Sequence, residues 1–244
     1  MPTIKYTLKD GTPVRGAATI KGQNVGWGKG ALMYWANKQG REGKTMQEAY
    51  DTATVPGTIA HLLIECYLKG TDPDLTQYRQ EDIDKGQAAF RNFEQWTQQF
   101  KFEPMHVEPN LISEKYGYGG TPDVIAEVKG QLCIVDWKTG KIYEDLFLQL
   151  VAYRILYEET HWGEIEGYHV LRIPRNEDIP SFHHSYWERL PDCAEEAFMA
   201  TLTLNRCQPE LKNPAYSGYV RTVYELQNGI QMGLKAPKNQ MNKF

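Results

Sequence analysis

Asp123, Asp136 and Lys138 are the residues whose types and spacing could do the most chemistry. Residues 121–128 and 131–138 read as strands, separated only by Lys129-Gly130. A two-residue loop with glycine in second place is a hairpin signal. With that loop, Val128 faces Gln131, and counting back along both strands brings Asp123 opposite Asp136. Cross-strand partners share a face, with Cβ atoms roughly 4.5–5.5 Å apart. Two bare carboxylates so close repel each other. A divalent cation between them relieves the repulsion, and hard oxygen ligands favour Mg²⁺ or Mn²⁺. Strand alternation puts Lys138 on the face of Asp136 and turns Trp137 to the other side. A cation on the pair can lower the pKa of a water and offset charge on a phosphate. Lys138 can orient or deprotonate that water, or stabilise the pentavalent state. The opposition holds only if no one-residue bulge intervenes.

Elements of both periodicities must position these groups. Residues 1–28 are rich in Gly, Thr and Lys and read as irregular. A short helix is predicted over 29–39, with Leu32, Met33, Trp35 and Ala36 available for packing, broken by Gly40 and Gly43. A second helix is predicted after Pro56-Gly57, with Thr58 near its cap, running to Lys69. It puts His61 and Glu65 on one face. Thr71-Asp72-Pro73-Asp74 is a turn, and 81–100 is the longest helical stretch. Its Phe90, Phe93, Trp96 and Phe100 recur at core spacing. Strands are expected over 106–112, 121–128, 131–138 and 165–173, and helices over 143–159 and 191–204. Residues 174–187, with Pro174, Pro180, His183 and His184, read as a loop. Leu132-Cys133-Ile134-Val135 is apolar on both faces, which suits a central strand. Helices covering a small mixed sheet are the simplest architecture.

The 244 residues fit one large domain, or a catalytic core with additions. No apolar run approaches a membrane span, and the first residues lack a secretory signal, so a cytoplasmic protein is expected. Cys66, Cys133, Cys193 and Cys207 form no C-x-x-C pair and suggest neither zinc nor a disulfide framework. Net charge is −4, unusual for a nucleic-acid binder, but residues 1–44 carry eight Lys/Arg against Asp10 and Glu42. Residues 211–244 carry five Lys/Arg against Glu225. These basic ends either meet phosphates or are simply solvated.

Pro122-Asp123 followed by Asp136-Trp137-Lys138 resembles the signature of the PD-(D/E)xK nuclease superfamily. Further segments are similar to its RecB-type group, which includes phage exonucleases and nucleases of CRISPR adaptation. Gly120-Thr121-Pro122-Asp123 resembles the group's G-x-x-D segment, and Asp136 to Gly140 its D-x-K-T-G strand end. Gln149 to Tyr153 matches its Q-x-x-x-Y helix, and Gly57 to His61 its G-T-x-x-H helix. The resemblance implies an α/β, restriction-endonuclease-like core: a small mixed β-sheet flanked by helices, with a helical N-terminal region. It implies one nuclease domain over 1–244: a mainly helical part to 105, the catalytic sheet over 106–175, and a C-terminal helix and basic tail. His61, Asp123, Asp136 and the backbone carbonyl of Trp137 would ligate metal. Lys138 would be the catalytic lysine beside Asp123 and Asp136. Gln149 and Tyr153 would position Lys138 or the DNA backbone, and Glu108 would support the site. Glu65 is either a helper acid or a solvated helix residue; His183 and His184 match no motif.

The cysteines are too isolated for the iron–sulfur cluster that several group members carry, so none is expected. No helicase module is present, so a helicase or recombination partner would be a separate chain. The expected activity is metal-dependent hydrolysis of DNA, at ends rather than internally, in phage or bacterial recombination, repair or processing. A structure-specific or restriction-like endonuclease, and a DNA-binding module without catalysis, are the alternatives.

Overall fold

The computed structural model describes residues 4–161, 163–175 and 181–213. β1 (Tyr6–Thr7) and β2 (Pro13–Val14) pair antiparallel and lead into α1 (Ala17–Asn24) and α2 (Lys29–Arg41). The long helices α3 (Met46–Lys69) and α4 (Gln80–Gln99) follow. Next come β3 (Glu103–Val107), β4 (Leu111–Ser113), β5 (Tyr118–Gly120), β6 (Val124–Val128) and β7 (Gln131–Lys138). α5 (Leu146–Thr160), β8 (Gly167–Arg172), β9 (His183–Trp187) and α6 (Ala194–Leu211) complete the order. The chain divides into two units, Met1–Leu202 and Thr203–Phe244, and the sheets and their cores belong to the first.

The main sheet has five strands in the order β3-β6-β7-β8-β9. All its neighbours are antiparallel except β7 and β8, which run parallel. A parallel pair needs a crossover, and α5 supplies it. The architecture is the mixed sheet flanked by helices that the residue pattern implies. β7 is central, and Cys133, Ile134, Val135 and Trp137 are all buried.

Alternation on these strands feeds two cores. Ile125, Ile134, Tyr168 and Val170 pack with Leu150 and Leu156 of α5 and Phe198 of α6. Val124, Ala126, Cys133, Val135, Trp137 and Leu171 pack on the opposite face with Ile64 of α3 and Phe93 and Trp96 of α4. Burying a side chain of this size contributes about 1.5–3 kcal/mol, so both helical layers are firmly held to the sheet.

Several elements differ from the sequence reading. Residues 6–24 carry two short strands and a helix rather than irregular chain. α3 begins ten residues before Pro56-Gly57, at a capping box in which Thr45 and Glu48 satisfy each other's backbone amides. Pro56 is therefore inside a helix, where it lacks a hydrogen bond. The Arg175 guanidinium donates to the Ala53 carbonyl in that disturbed turn. The strand expected over 106–112 is cut at Glu108, whose left-handed φ of 48° sends the chain from the main sheet to β4. Such a conformation costs a non-glycine residue about 1 kcal/mol or more. The expected loop over 174–187 ends in β9, and the 176–180 part lies outside the described residues, as does the C-terminal basic arm from 214 onward. α2 forms as expected, yet none of its residues is buried.

β9 gives His184 a structural role. Trp96 Nε1 donates to His184 Nδ1 (3.3 Å), and His184 Nε2 lies 2.9 Å from His169 Nδ1. If His184 accepts from Trp96, its proton is on Nε2 and points at His169, so both rings are neutral. Burial, then the neighbouring His184 and the charge of Lys129, push His169 down to about 4. A neutral imidazole that resists protonation stabilises the fold fully above its unfolded pKa near 6.5. That contribution declines as pH falls and levels off below about 4, where the folded ring takes its proton. With His169→Gln, denaturant titrations at pH 7 and pH 4 should show about 1–2 kcal/mol less loss than the unaltered protein. Equal losses in both proteins would remove this role.

Candidate active site

The hairpin that carries the two aspartates has the predicted register. Val128 pairs with Gln131 and Val124 with Val135, without a bulge. Lys129 and Gly130 both have positive φ, 54° and 83°, as a twist-matched two-residue hairpin turn requires. Asp123 lies one residue beyond the last pair, at the start of β6, and Asp136 lies near the end of β7. Asp123 is bonded from three sides. Its Oδ2 accepts from the Trp137 amide (2.8 Å), its Oδ1 lies 3.2 Å from His61 Nδ1, and its carbonyl accepts from the Glu108 amide (2.9 Å).

His61 reaches the site from α3, where Gly57 sits one turn earlier. A Cβ on Gly57 would lie 2.8 Å from Thr139 Oγ1, so the missing side chain lets α3 approach the end of β7. Tyr153 comes from α5 on the other layer. The site thus sits at the sheet end where both helical layers meet. It opens to a cleft of about 300 Å³ lined by His61, Glu108, Asp123 and Tyr153 together with Tyr6 and Thr19.

The charges explain which groups are ionised. Burial opposes ionisation of Asp123, but His61, Lys138 and the Trp137 amide outweigh it and hold the carboxyl below its usual range. Burial likewise opposes a charge on His61, and Asp123 reverses this and raises its pKa. Asp136 is almost fully buried, which raises its carboxyl despite Lys138 Nζ at 2.6 Å. Lys138 is kept protonated by Asp136 and Asp123 against the effect of burial. Glu108 is pushed up to about 7, first by burial and then by the charges of Asp123 and Glu65.

The donor atoms of His61, Glu108 and Asp123 all lie within 4.8 Å of one another. Ligands at 2.0–2.4 Å from one ion are at most about 4.8 Å apart, so these three fit a small hard cation. The structure therefore brings Glu108 nearer to Asp123 than a supporting role requires, and pairs Asp136 with Lys138 instead. The Trp137 backbone is seen holding Asp123 through its amide. Gln149 donates to the Tyr153 hydroxyl (2.9 Å), and its Oε1 accepts from Lys21 (3.3 Å), which also pairs with Asp145 (3.2 Å). Glu65 is paired with Lys69 at 2.6 Å. His183 and His184 lie in β9, far along the sheet order from β6.

Sequence reasoning missed Tyr6 and Lys21. Tyr6 packs its ring against Gly16 and Gly119 and its hydroxyl is 3.1 Å from Thr121 Oγ1. Neither residue belongs to a periodic pattern or a motif, so only the long-range contact shows its place.

Comparison with known proteins gives the family of the chain. No curated protein matches the sequence. A protein of Eubacterium rectale provisionally named an exonuclease shares 9% identity over 75% of this chain and 77% of its own, with a TM-score of 0.42. The structure of SSO0001 shares 14% identity over 65% of this chain and 72% of its own, with a TM-score of 0.33. These likenesses are too distant to carry the assignment. The sequence profile of the PD-(D/E)XK nuclease superfamily, however, matches residues 32–215, a span that includes His61, Glu108, Asp123, Asp136 and Lys138. By that match the chain belongs to the PD-(D/E)XK nuclease superfamily.

Proposed function

We propose that the protein is a deoxyribonuclease of the RecB-type group that uses Mg²⁺ or Mn²⁺ and hydrolyses phosphodiester bonds from DNA ends. The observation that carries this reading is the His61–Glu108–Asp123 cluster beside the Asp136–Lys138 pair. His61, Glu108 and Asp123 would hold the cation, with Asp136 and the Trp137 carbonyl as further ligands. When bound, it would supply Lewis-acid activation of water and offset phosphate charge. Asp136 and Asp123 favour the protonated form of Lys138, whose ammonium would stabilise the phosphorane's negative charge. Gln149 holds Tyr153, which lines the cleft, and the pair would steer the scissile phosphate toward Lys138. The role in recombination, repair or processing, in bacterial or phage-infected cytoplasm and beside a separate helicase or recombination protein, belongs to the same reading. Among the described residues, no helix is long and apolar enough to cross a membrane.

The test is digestion of end-labelled linear DNA and closed circular DNA with Mg²⁺, Mn²⁺ or EDTA. Loss of linear DNA alone, only with metal, is the expected result. Cutting of the circle would replace end-directed with internal cleavage. DNA binding without cleavage under either metal would overturn the enzyme reading.

A further inference from the structure

α2 is a helix that the fold leaves almost unused. Its Trp35, Ala36 and Gln39 are half-covered, and nothing in it is buried. On its outer face Tyr34, Asn37, Lys38 and Arg41 recur at i, i+3, i+4 and i+7, which is one continuous line on a helix. Tyr34 is 77% exposed, the neighbouring Met33 72%, and Trp27, just before the helix, 67%. Every charged residue in α2 is a cation, against a chain of net charge −4. Among the described residues neither Lys38 nor Arg41 is paired with a carboxylate, although Lys44 close by is paired with Glu42.

The helix is also well placed. Ala18 and Thr19 of α1 line the cleft, and only 25–28 separate α1 from α2. α2 packs on α3, which carries His61.

We propose that the outer face of α2 binds single-stranded DNA, with Tyr34 and Trp27 stacking on bases and Lys38 and Arg41 holding phosphates. Interleaved aromatics and cations without acids are what an unpaired strand needs, because its bases offer free faces and its backbone offers regular negative charge. A duplex offers the charge but hides the faces. The proposal rests on the nuclease reading for its choice of nucleic acid, but its test does not depend on cleavage.

Binding of a labelled oligothymidylate of about 16 nucleotides is measured in EDTA, so that nothing is cut. Tyr34→Ala is expected to weaken binding about tenfold, and Tyr34→Phe to keep it within about twofold. The double change Lys38→Gln/Arg41→Gln should reduce the slope of log affinity against log salt by about 1.4, the value for two lost phosphate contacts. These side chains bury nothing, so the thermal midpoints should match the unaltered protein. A protein that does not bind the single strand, or variants that bind it as tightly as the parent, would overturn the proposal. So would unchanged DNA affinity together with a shift from dimer to monomer on Tyr34→Ala, which would assign the face to a second copy of the chain. Absence of cleavage with tight, Tyr34-dependent binding would instead sink the enzyme reading and leave this surface standing.

Discussion

Asp123→Ala is expected to abolish cleavage, by at least about 10³-fold, because the carboxylate is the hub of the site. It faces His61 at 3.2 Å, accepts the Trp137 amide at 2.8 Å, and shares the 4.8 Å donor cluster with Glu108. The alanine protein would also strand the Trp137 amide, which costs about 1–3 kcal/mol if no water replaces the partner. Activity and stability therefore have to be separated. Asp123→Asn keeps an acceptor for that amide but removes the negative charge. It should melt close to the parent in EDTA, lose the upward shift in melting temperature that Mg²⁺ gives the parent, and still fail to cut. An asparagine protein that cuts within tenfold of the parent would remove Asp123 from the reaction.

Lys138→Ala carries the second large effect. Loss of one positioned cation in a closed site lowers turnover by about 10²–10⁴-fold. The structure adds a consequence for stability. Asp136 is 1% exposed, and Lys138 is its ion-pair partner. Removing one member of such a pair leaves a buried acid that must be neutralised by a proton, so the fold should weaken by about 2 kcal/mol in EDTA. Lys138→Met/Asp136→Asn should recover most of that loss without recovering cleavage. Mg²⁺ should raise the melting temperature of Lys138→Ala more than that of the parent, because the ammonium no longer competes for Asp136. Equal shifts would mean that Asp136 takes no part in holding the cation.

How far the sequence could be read depended on whether the relevant contacts were local. The Lys129-Gly130 turn is local, so the register of β6 on β7 and the opposition of Asp123 and Asp136 could be counted residue by residue. The span of β7 and the pairing of Gln149 with Tyr153 followed from periodicity in the same way. Pro56 misled, because a proline reads as a helix start and nothing local shows that the helix runs on through it from Met46. Glu108 looked like a mid-strand residue, since nothing in its type signals a left-handed backbone. The N-terminal ribbon was illegible because two-residue strands have no period, and Tyr6 is fixed by Gly119. The exposure of α2 could not be foreseen either: Leu32, Met33 and Trp35 look like packing residues until the structure shows no surface for Leu32 and Met33 to bury against.

The meeting of both helical layers at the sheet end has a mechanical consequence. His61 belongs to α3, while Glu108 and Asp123, at the exit of β3 and the entry of β6, follow more than forty residues later. A cation held by all three would act as a reversible cross-link, closing long loops much as a disulfide does. In such a protein, chelation would do more than stop turnover. It would loosen the attachment of α3 to the sheet, and susceptibility to proteases would become a gauge of how fully the site is loaded.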